Sequence, residues 1–214
     1  MLFKYERHGE FYRISITAQK SRNRQEAISL LPMGWIDELP GKRLVAIHTE
    51  VMSKDAKSPT PAMLRKYFAH EDVAGSLVSH GCAKVWSDFK IGADGYTRML
   101  VHDMGLTPLS LGRVTRRMHE IETYRMMALL AFPLAQDLQK RLGPLEKSLA
   151  DMVESMLSAQ STQEDAMLLA GLSTTARDVE EISNRCSFRF AATRAYSALV
   201  AKRVAELGEE RVDH

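Results

Sequence analysis

Gly112-Arg113-Val114-Thr115-Arg116-Arg117-Met118-His119-Glu120-Ile121-Glu122-Thr123-Tyr124-Arg125-Met126-Met127-Ala128-Leu129-Leu130 is the stretch that divides the chain. Upstream of it apolar residues tend to alternate. From Leu111 through Val114, Met118 and Ile121 they recur at spacings of three and four, the period of a helix buried along one face. The same stretch sets dense charge beside a dense apolar run. On a helix, Arg116 and Glu120 are four apart, and Arg117 and Glu120, like Glu122 and Arg125, are three apart. Such pairs line a solvated face at roughly a few tenths of a kcal/mol each. Partly buried, they would instead fix the register between the two halves, because a buried pair tolerates little misalignment. A third reading builds an anion site on Arg113, Arg116 and Arg117.

Working back toward the N-terminus, residues 10–18 are rich in aromatic and β-branched types and predict a strand with Tyr12, Ile14 and Ile16 on one face. A polar connection at Arg22–Gln25 leads to a short helix over 26–31 that must stop before Pro32, and Trp35–Leu39 reads as another short turn of helix. Leu44–Val51 is apolar enough to sit centrally in a sheet. Thr60 as cap and Pro61 at the first helical position predict a helix over Ala62–His70. Another strand starts near Val73. Cys82–Ile91 then alternates, with Ala83, Val85, Phe89 and Ile91 inward, and Tyr96–His102 returns after Gly92-Ala93-Asp94-Gly95 as a hairpin whose loop of two, three or four residues stays open.

Working forward, Pro133 should kink or end the opening helix, and Gly143-Pro144 should end the segment Leu134–Leu142. Leu145–Ser158 carries Leu149, Met152, Met156 and Leu157 on one face. After a turn at 159–162, a last helix runs from Gln163 to about Leu207, capped by Ser161 or Thr162, with Leu172, Val179, Ile182, Cys186, Val200 and Leu207 near one seam. The fold class expected is α+β. A mixed or antiparallel sheet domain with short helices spans 1–107, and an antiparallel helical hairpin or bundle, partly coiled-coil-like, spans 108–214.

A chain of 214 residues, 45% hydrophobic and 26% charged, can bury a substantial core. Its net charge of +2 is too mild to call for a nucleic-acid partner. Cys82 and Cys186 have neither disulfide-framework nor zinc spacing and read as free thiols in a reducing cytosol. The N-terminus lacks a secretory apolar region, and no apolar run reaches the roughly 18 residues that cross a bilayer, so a soluble, cytoplasmic chain is expected. No P-loop, dinucleotide fingerprint, nucleophile elbow, His-Glu-x-x-His or Cys-x-x-Cys motif occurs, which removes the common nucleotide, hydrolase and redox readings. No cofactor and no metal is expected. His119 and Glu122 have a spacing used by carboxylate-bridged metal sites, but the pair is not repeated, and His48, His70, His80 and His102 are scattered. Asp88 and Arg98 on the hairpin read as sheet-edge charges or as cleft residues. The candidate functional surface is therefore Arg113, Arg116, Arg117, Glu120, Glu122 and Arg125, with Asp88 and Arg98; no catalytic residue is assigned.

Several runs resemble those of a bacterial family, domain of unknown function 3422, labelled uncharacterized membrane-anchored protein. They are Tyr5–Phe11, Gly81–Ala83 through Asp88-Phe89 with Asp94–Arg98, Gly112–Leu130 with Glu120-Ile121-Glu122-Thr123-Tyr124-Arg125 as the most specific motif, and Phe188–Phe190 through Tyr196. The resemblance covers essentially the whole chain. It implies relatives about twice as long, with an N-terminal extension and C-terminal anchors in the inner membrane, so this chain is expected to be a fragment or a shorter homologue that meets a membrane only through segments it lacks. The expected function is a non-enzymatic, membrane-associated interaction or scaffold protein with a homo-oligomer or protein partner along its helices. The alternative is an enzyme or small-ligand sensor with a charged site between the sheet and the Gly112–Leu130 helix.

Overall fold

The computed structural model describes residues 1–19, 27–68, 72–158 and 161–211. Backbone contacts gather them into two compact units, 1–43 and 44–214. The polar connection at Arg22–Gln25, the end of the helix at Ala69-His70 and part of the turn at 159–160 lie outside the described residues.

In the first unit β1 (Leu2–Arg7) pairs antiparallel with β2 (Tyr12–Thr17), from Leu2 opposite Thr17 to Arg7 opposite Tyr12. Glu6 is bonded by Lys4 at 2.7 Å and by Arg13 across the ladder. Phe3 meets Trp35 edge-on, and the Tyr12 hydroxyl donates to the Pro40 carbonyl. The short helix expected near Leu30 is a 3-10 turn over Ala27–Leu30. Trp35–Leu39 is not an α-helix but a succession of turns closed by bonds such as Trp35 N to Pro32 O. Left-handed Gly34 and then Pro40 bracket too few residues to propagate a helical nucleus.

The second unit holds a five-stranded sheet in the order β3-β6-β5-β4-β7, formed by β3 (Ile47–Met52), β4 (Ala74–Val78), β5 (Ala83–Ile91), β6 (Thr97–Asp103) and β7 (Glu210–Arg211). Only β3 with β6 is parallel; the other pairs are antiparallel. The Leu44–Val51 run is strand only from Ile47 onward, and that strand lies at the edge of the sheet rather than at its centre. The helix α1 (Pro61–Phe68), with Thr60 Oγ1 accepting from Met63 N, covers one sheet face through Phe68, Trp86 and Leu100. The other face carries the main core, Val78, Val85, Met99 and Val101 beneath Val114, Met118 and Ile121.

Those last three residues lie on α2 (Pro108–Leu129), capped by Thr107 with Pro108 at its start. Pro133 falls at the second residue of α3 (Phe132–Ser158), so the expected break precedes it. The break expected at Gly143-Pro144 does not occur. Leu138 before it and Leu145 after it both pack toward Ile182 and Cys186, and that shared burial carries the helix through the missing amide. A capping box of Ser161 and Glu164 opens α4 (Thr162–Leu207), and left-handed Gly208 closes it. Its 46 residues span about 69 Å at ~1.5 Å each, enough to pack along α3 and then along α2. The chain is thus α+β, with a long bent helix of α2 and α3 and a C-terminal helix packed against it.

Candidate functional site

The hairpin strand β5 does not keep its alternation to the end. Between Ser87 opposite Met99 and Ile91 opposite Thr97 it advances four residues while β6 advances two, leaving two extra residues in a bulge. Phe89 there takes a left-handed φ of 51°, with its amide bonded to Ser87 Oγ and that of Lys90 to Asp88 Oδ1, both at 3.1 Å. The inward expectation holds for Ala83 and Val85, which are buried, but not for Phe89 and Ile91, 37% and 57% exposed, because the bulge ends the regular pleat. The bulge also aims the Phe89 carbonyl at α2.

Arg125 receives it. Its Nη2 donates to Phe89 O at 3.0 Å and its guanidinium lies 5.7 Å from the centre of the Phe89 ring. The same guanidinium holds Glu122 by two bonds of 2.8 Å, and the Thr97 hydroxyl donates to Glu122 Oε1 at 3.1 Å. Glu122 is 0% exposed. Hydrogen bonding to Glu122 outweighs desolvation and keeps the Arg125 pKa above its ordinary value. One helical step away Glu120 faces α4. Its two oxygens accept from Arg116 Nε at 2.7 Å and Arg203 Nε at 2.5 Å, while Arg203 Nη1 and Arg117 Nε reach Glu206 at 2.8 and 3.3 Å. Burial alone would raise the Glu120 pKa, but the Arg116 hydrogen bond and the charges of Arg203 and Arg116 outweigh it and hold the carboxyl below its usual value.

The candidate residues thus separate. Glu122 and Arg125 tie α2 to the sheet; Glu120 and Arg117 tie it to α4, with Arg116 pairing to Glu120 along α2; Arg113 is exposed. Asp88 caps its own bulge, and Arg98 pairs with Asp94 in the hairpin loop at 2.5 Å. Of the histidines, His102 is buried with Nε2 3.1 Å from Ala56 O, and His119 Nε2 lies 2.8 Å from Thr49 Oγ1 while Glu122 turns to Thr97 and Arg125. Among the described residues no three His, Cys, Asp or Glu side chains are grouped as a metal would need. Sequence reasoning missed Arg203, Glu206 and Thr97. The signals were a charge three residues from Val200 and four from Leu207 on one seam, and a threonine in step with inward Met99 and Val101.

A family model described as protein of unknown function (DUF3422) matches residues 1–214. The chain belongs to the DUF3422 family. No curated protein and no solved structure gives a match. In this DUF3422 protein every residue of Glu120–Arg125 has packing work to do. Ile121 enters the core, Thr123 Oγ1 bonds back to His119 O at 2.8 Å, and Tyr124 stacks on Tyr196 at 5.9 Å between centroids. Among the described residues shallow, open depressions run along Glu146, Leu149, Val153 and Leu157 on the flank of α3 and between Leu138, Leu142 and Phe190 of α4, and none of the eight candidates lines them. Among the described residues no helix is long and apolar enough to cross a membrane.

Proposed function

We propose that this DUF3422 protein is a non-enzymatic interaction or scaffold protein whose association surface is the outer face of α3. The observation that carries this reading is the exposed apolar row on that helix, from Leu142 through Leu149, Val153 and Met156 to Leu157, which is 87% exposed. Single exposed apolar side chains are ordinary on a surface, but a row of them along one helix is the usual mark of a docking face. The charges of α2 favour this role over a catalytic one: Arg116, Arg117, Glu120, Glu122 and Arg125 are bonded within the fold. A membrane-associated setting belongs to the proposal through the family resemblance alone. The test is a photo-crosslinking residue placed at Leu157 in cells, with Arg177, exposed on α4, as control. Discrete adducts from Leu157 and none from Arg177 are expected; an absence of adducts at Leu157 overturns the assignment.

A further inference from the structure

His102 is a buried titratable side chain that the charge pairs of α2 leave unused. It stands on β6 beside Leu100, on the sheet face covered by α1, and is 5% exposed. Its Nε2 lies 3.1 Å from the carbonyl oxygen of Ala56, and because a carbonyl only accepts, Nε2 carries the proton. Nδ1 is then a lone pair. It is sealed from water and meets no donor among the described residues. Ala56 sits midway along residues 53–60, the strap that joins β3 to α1. Ala56 and Pro59 are half-buried and the rest of the strap is exposed, its own turn closed by Ala56 N on Ser53 O at 3.0 Å. The His102 hydrogen bond therefore fastens the strap to the sheet.

We infer that the strap is a pH-sensitive latch: the neutral imidazole of His102 holds it closed, and protonation at Nδ1 releases it. The latch is independent of the docking role proposed for α3. A proton on Nδ1 creates a second N–H facing no acceptor and a positive charge in a site closed to water, and buried groups of either kind are tolerated only when paired. The charges nearby weigh against the imidazolium. Lys84 of β5 stands directly opposite His102 in the ladder, its ammonium 5.3 Å from the centre of the Trp86 ring, and Met52 stands opposite on β3. Beyond Lys84 come Leu77 of β4 and then Glu210 of β7. Asp103 follows on β6 but gives its carboxylate to the amides of Gly105 and Leu106 at 2.9 and 2.8 Å. Glu50, opposite Leu100 on β3, is a diagonal neighbour that does not bond the ring. From α1, Leu64 and Phe68 are apolar and the Tyr67 hydroxyl donates to Met99 O at 3.3 Å. Lys54, Asp55 and Lys57 of the strap are exposed. Turning the ring out to water relieves both the charge and the unmet N–H, and the strap must lift to let it pass. Imidazole ordinarily changes charge between about pH 5 and 8, so mild acid opens the latch. The opposite sheet face, where Val85, Met99 and Val101 meet α2, takes no part.

Long-range 1H–15N spectra of the histidine rings, recorded with backbone amide spectra of the 214-residue chain from about pH 7.5 to about 5, test this. The titration stops above the range in which the carboxyls of Glu120 and Glu206 lose their contribution. His102, identified by its absence in His102→Gln, should show the Nε2–H tautomer at the neutral end. As the ring takes up a proton, the amides of residues 53–58 should lose their dispersion with the same midpoint, reversibly, while those of Val114, Met118 and Ile121 hold still. The His102→Gln side chain can still donate to Ala56 O but takes up no proton, so its strap amides should stay in place throughout. If that variant does not fold, backbone assignment through Val101 and Asp103 identifies the ring, and its tautomer and the shared midpoint decide. An Nδ1–H tautomer at neutral pH, a ring still neutral at the acid end, or a His102→Gln strap that opens as the wild type does would overturn the latch. So would strap amides that hold while the ring is protonated, which would mean that Glu50 or Asp103 balances the charge in place.

Discussion

Glu122 has the least room for error in the molecule. Its carboxylate is sealed from water and held on three sides, twice by Arg125 and once by Thr97. A buried charge of this kind is costly to leave alone, and removing its partner is worse than removing the pair, because the remaining ion stays in a low-dielectric site. Arg125→Ala should therefore destabilise the fold by about 3–5 kcal/mol, while Thr97→Val, which removes a neutral donor, should cost about 1 kcal/mol. Urea unfolding monitored by circular dichroism measures both. An Arg125→Ala protein as stable as the wild type would show that the pair only decorates the surface. The charge was legible at this scale, since the spacing of Glu122 and Arg125 is local. Its burial was not, because it depends on a carbonyl 36 residues upstream, presented by a bulge whose Asp88 and Lys90 look like ordinary outward residues.

Among the elements, those with local signals were readable. Thr107-Pro108 and the Ser161–Glu164 box opened α2 and α4 where the cap chemistry puts them, and the period of three and four carried both helices. The strand β1 was not read, because Lys4, Glu6 and Arg7 interrupt Phe3 and Tyr5 and only pairing with β2 gives the segment its shape. The edge position of β3 was equally hidden: its partner β6 is parallel and arrives only after α1 and the β4-β5 hairpin. Two glycines separate the demands of the elements they occupy. Gly112 lies inside α2 with nothing within 4 Å of a would-be Cβ, so Gly112→Ala should stabilise by roughly 0.5–1 kcal/mol through the backbone entropy of the unfolded chain. At Gly75 on β4 an added Cβ would stand 2.7 Å from Cδ1 and 2.8 Å from Nε1 of Trp86, a ring locked in the core beside Phe68 and Leu100. Gly75→Ala should therefore destabilise by about 1–3 kcal/mol. Differential scanning calorimetry gives both signs in one experiment; a lower melting temperature for Gly112→Ala would contradict the open geometry at that turn.

For the whole molecule, the Glu120–Arg125 run is the place where three layers meet, the sheet below, α4 beside it and α2 between them. The density of charge in the run was visible in the sequence, but Arg203, which pairs with Glu120, and Glu206, which pairs with Arg117, lie more than 80 residues from their partners on α2, where a polar residue on an apolar seam gave only a faint sign. Acid should act on this junction. The carboxyls of Glu120 and Glu206 are both held below their ordinary value of 4.5. For each, desolvation pulls the other way and is outweighed, by Arg116 and Arg203 at Glu120 and by Arg203 and Arg117 at Glu206. A carboxyl whose folded pKa is depressed binds fewer protons in the native state than in the unfolded one. Its contribution is therefore complete above about 4.5, the unfolded value, and is lost as pH falls through the folded value. Glu6, held down to about 2 by hydrogen bonds first from Lys4 and then from Arg13, adds a loss of the same sign in the first unit. Melting temperature should accordingly be flat with respect to these groups near neutrality and fall as pH drops from about 4.5 toward 2. The variant Glu120→Gln should be less stable at neutral pH and show a shallower acid slope, because it has no proton left to take up at the α2–α4 contact. An acid slope identical to that of the wild type would mean that the junction is held by Ile121, Tyr124 and Tyr196 and that its charges contribute nothing measurable.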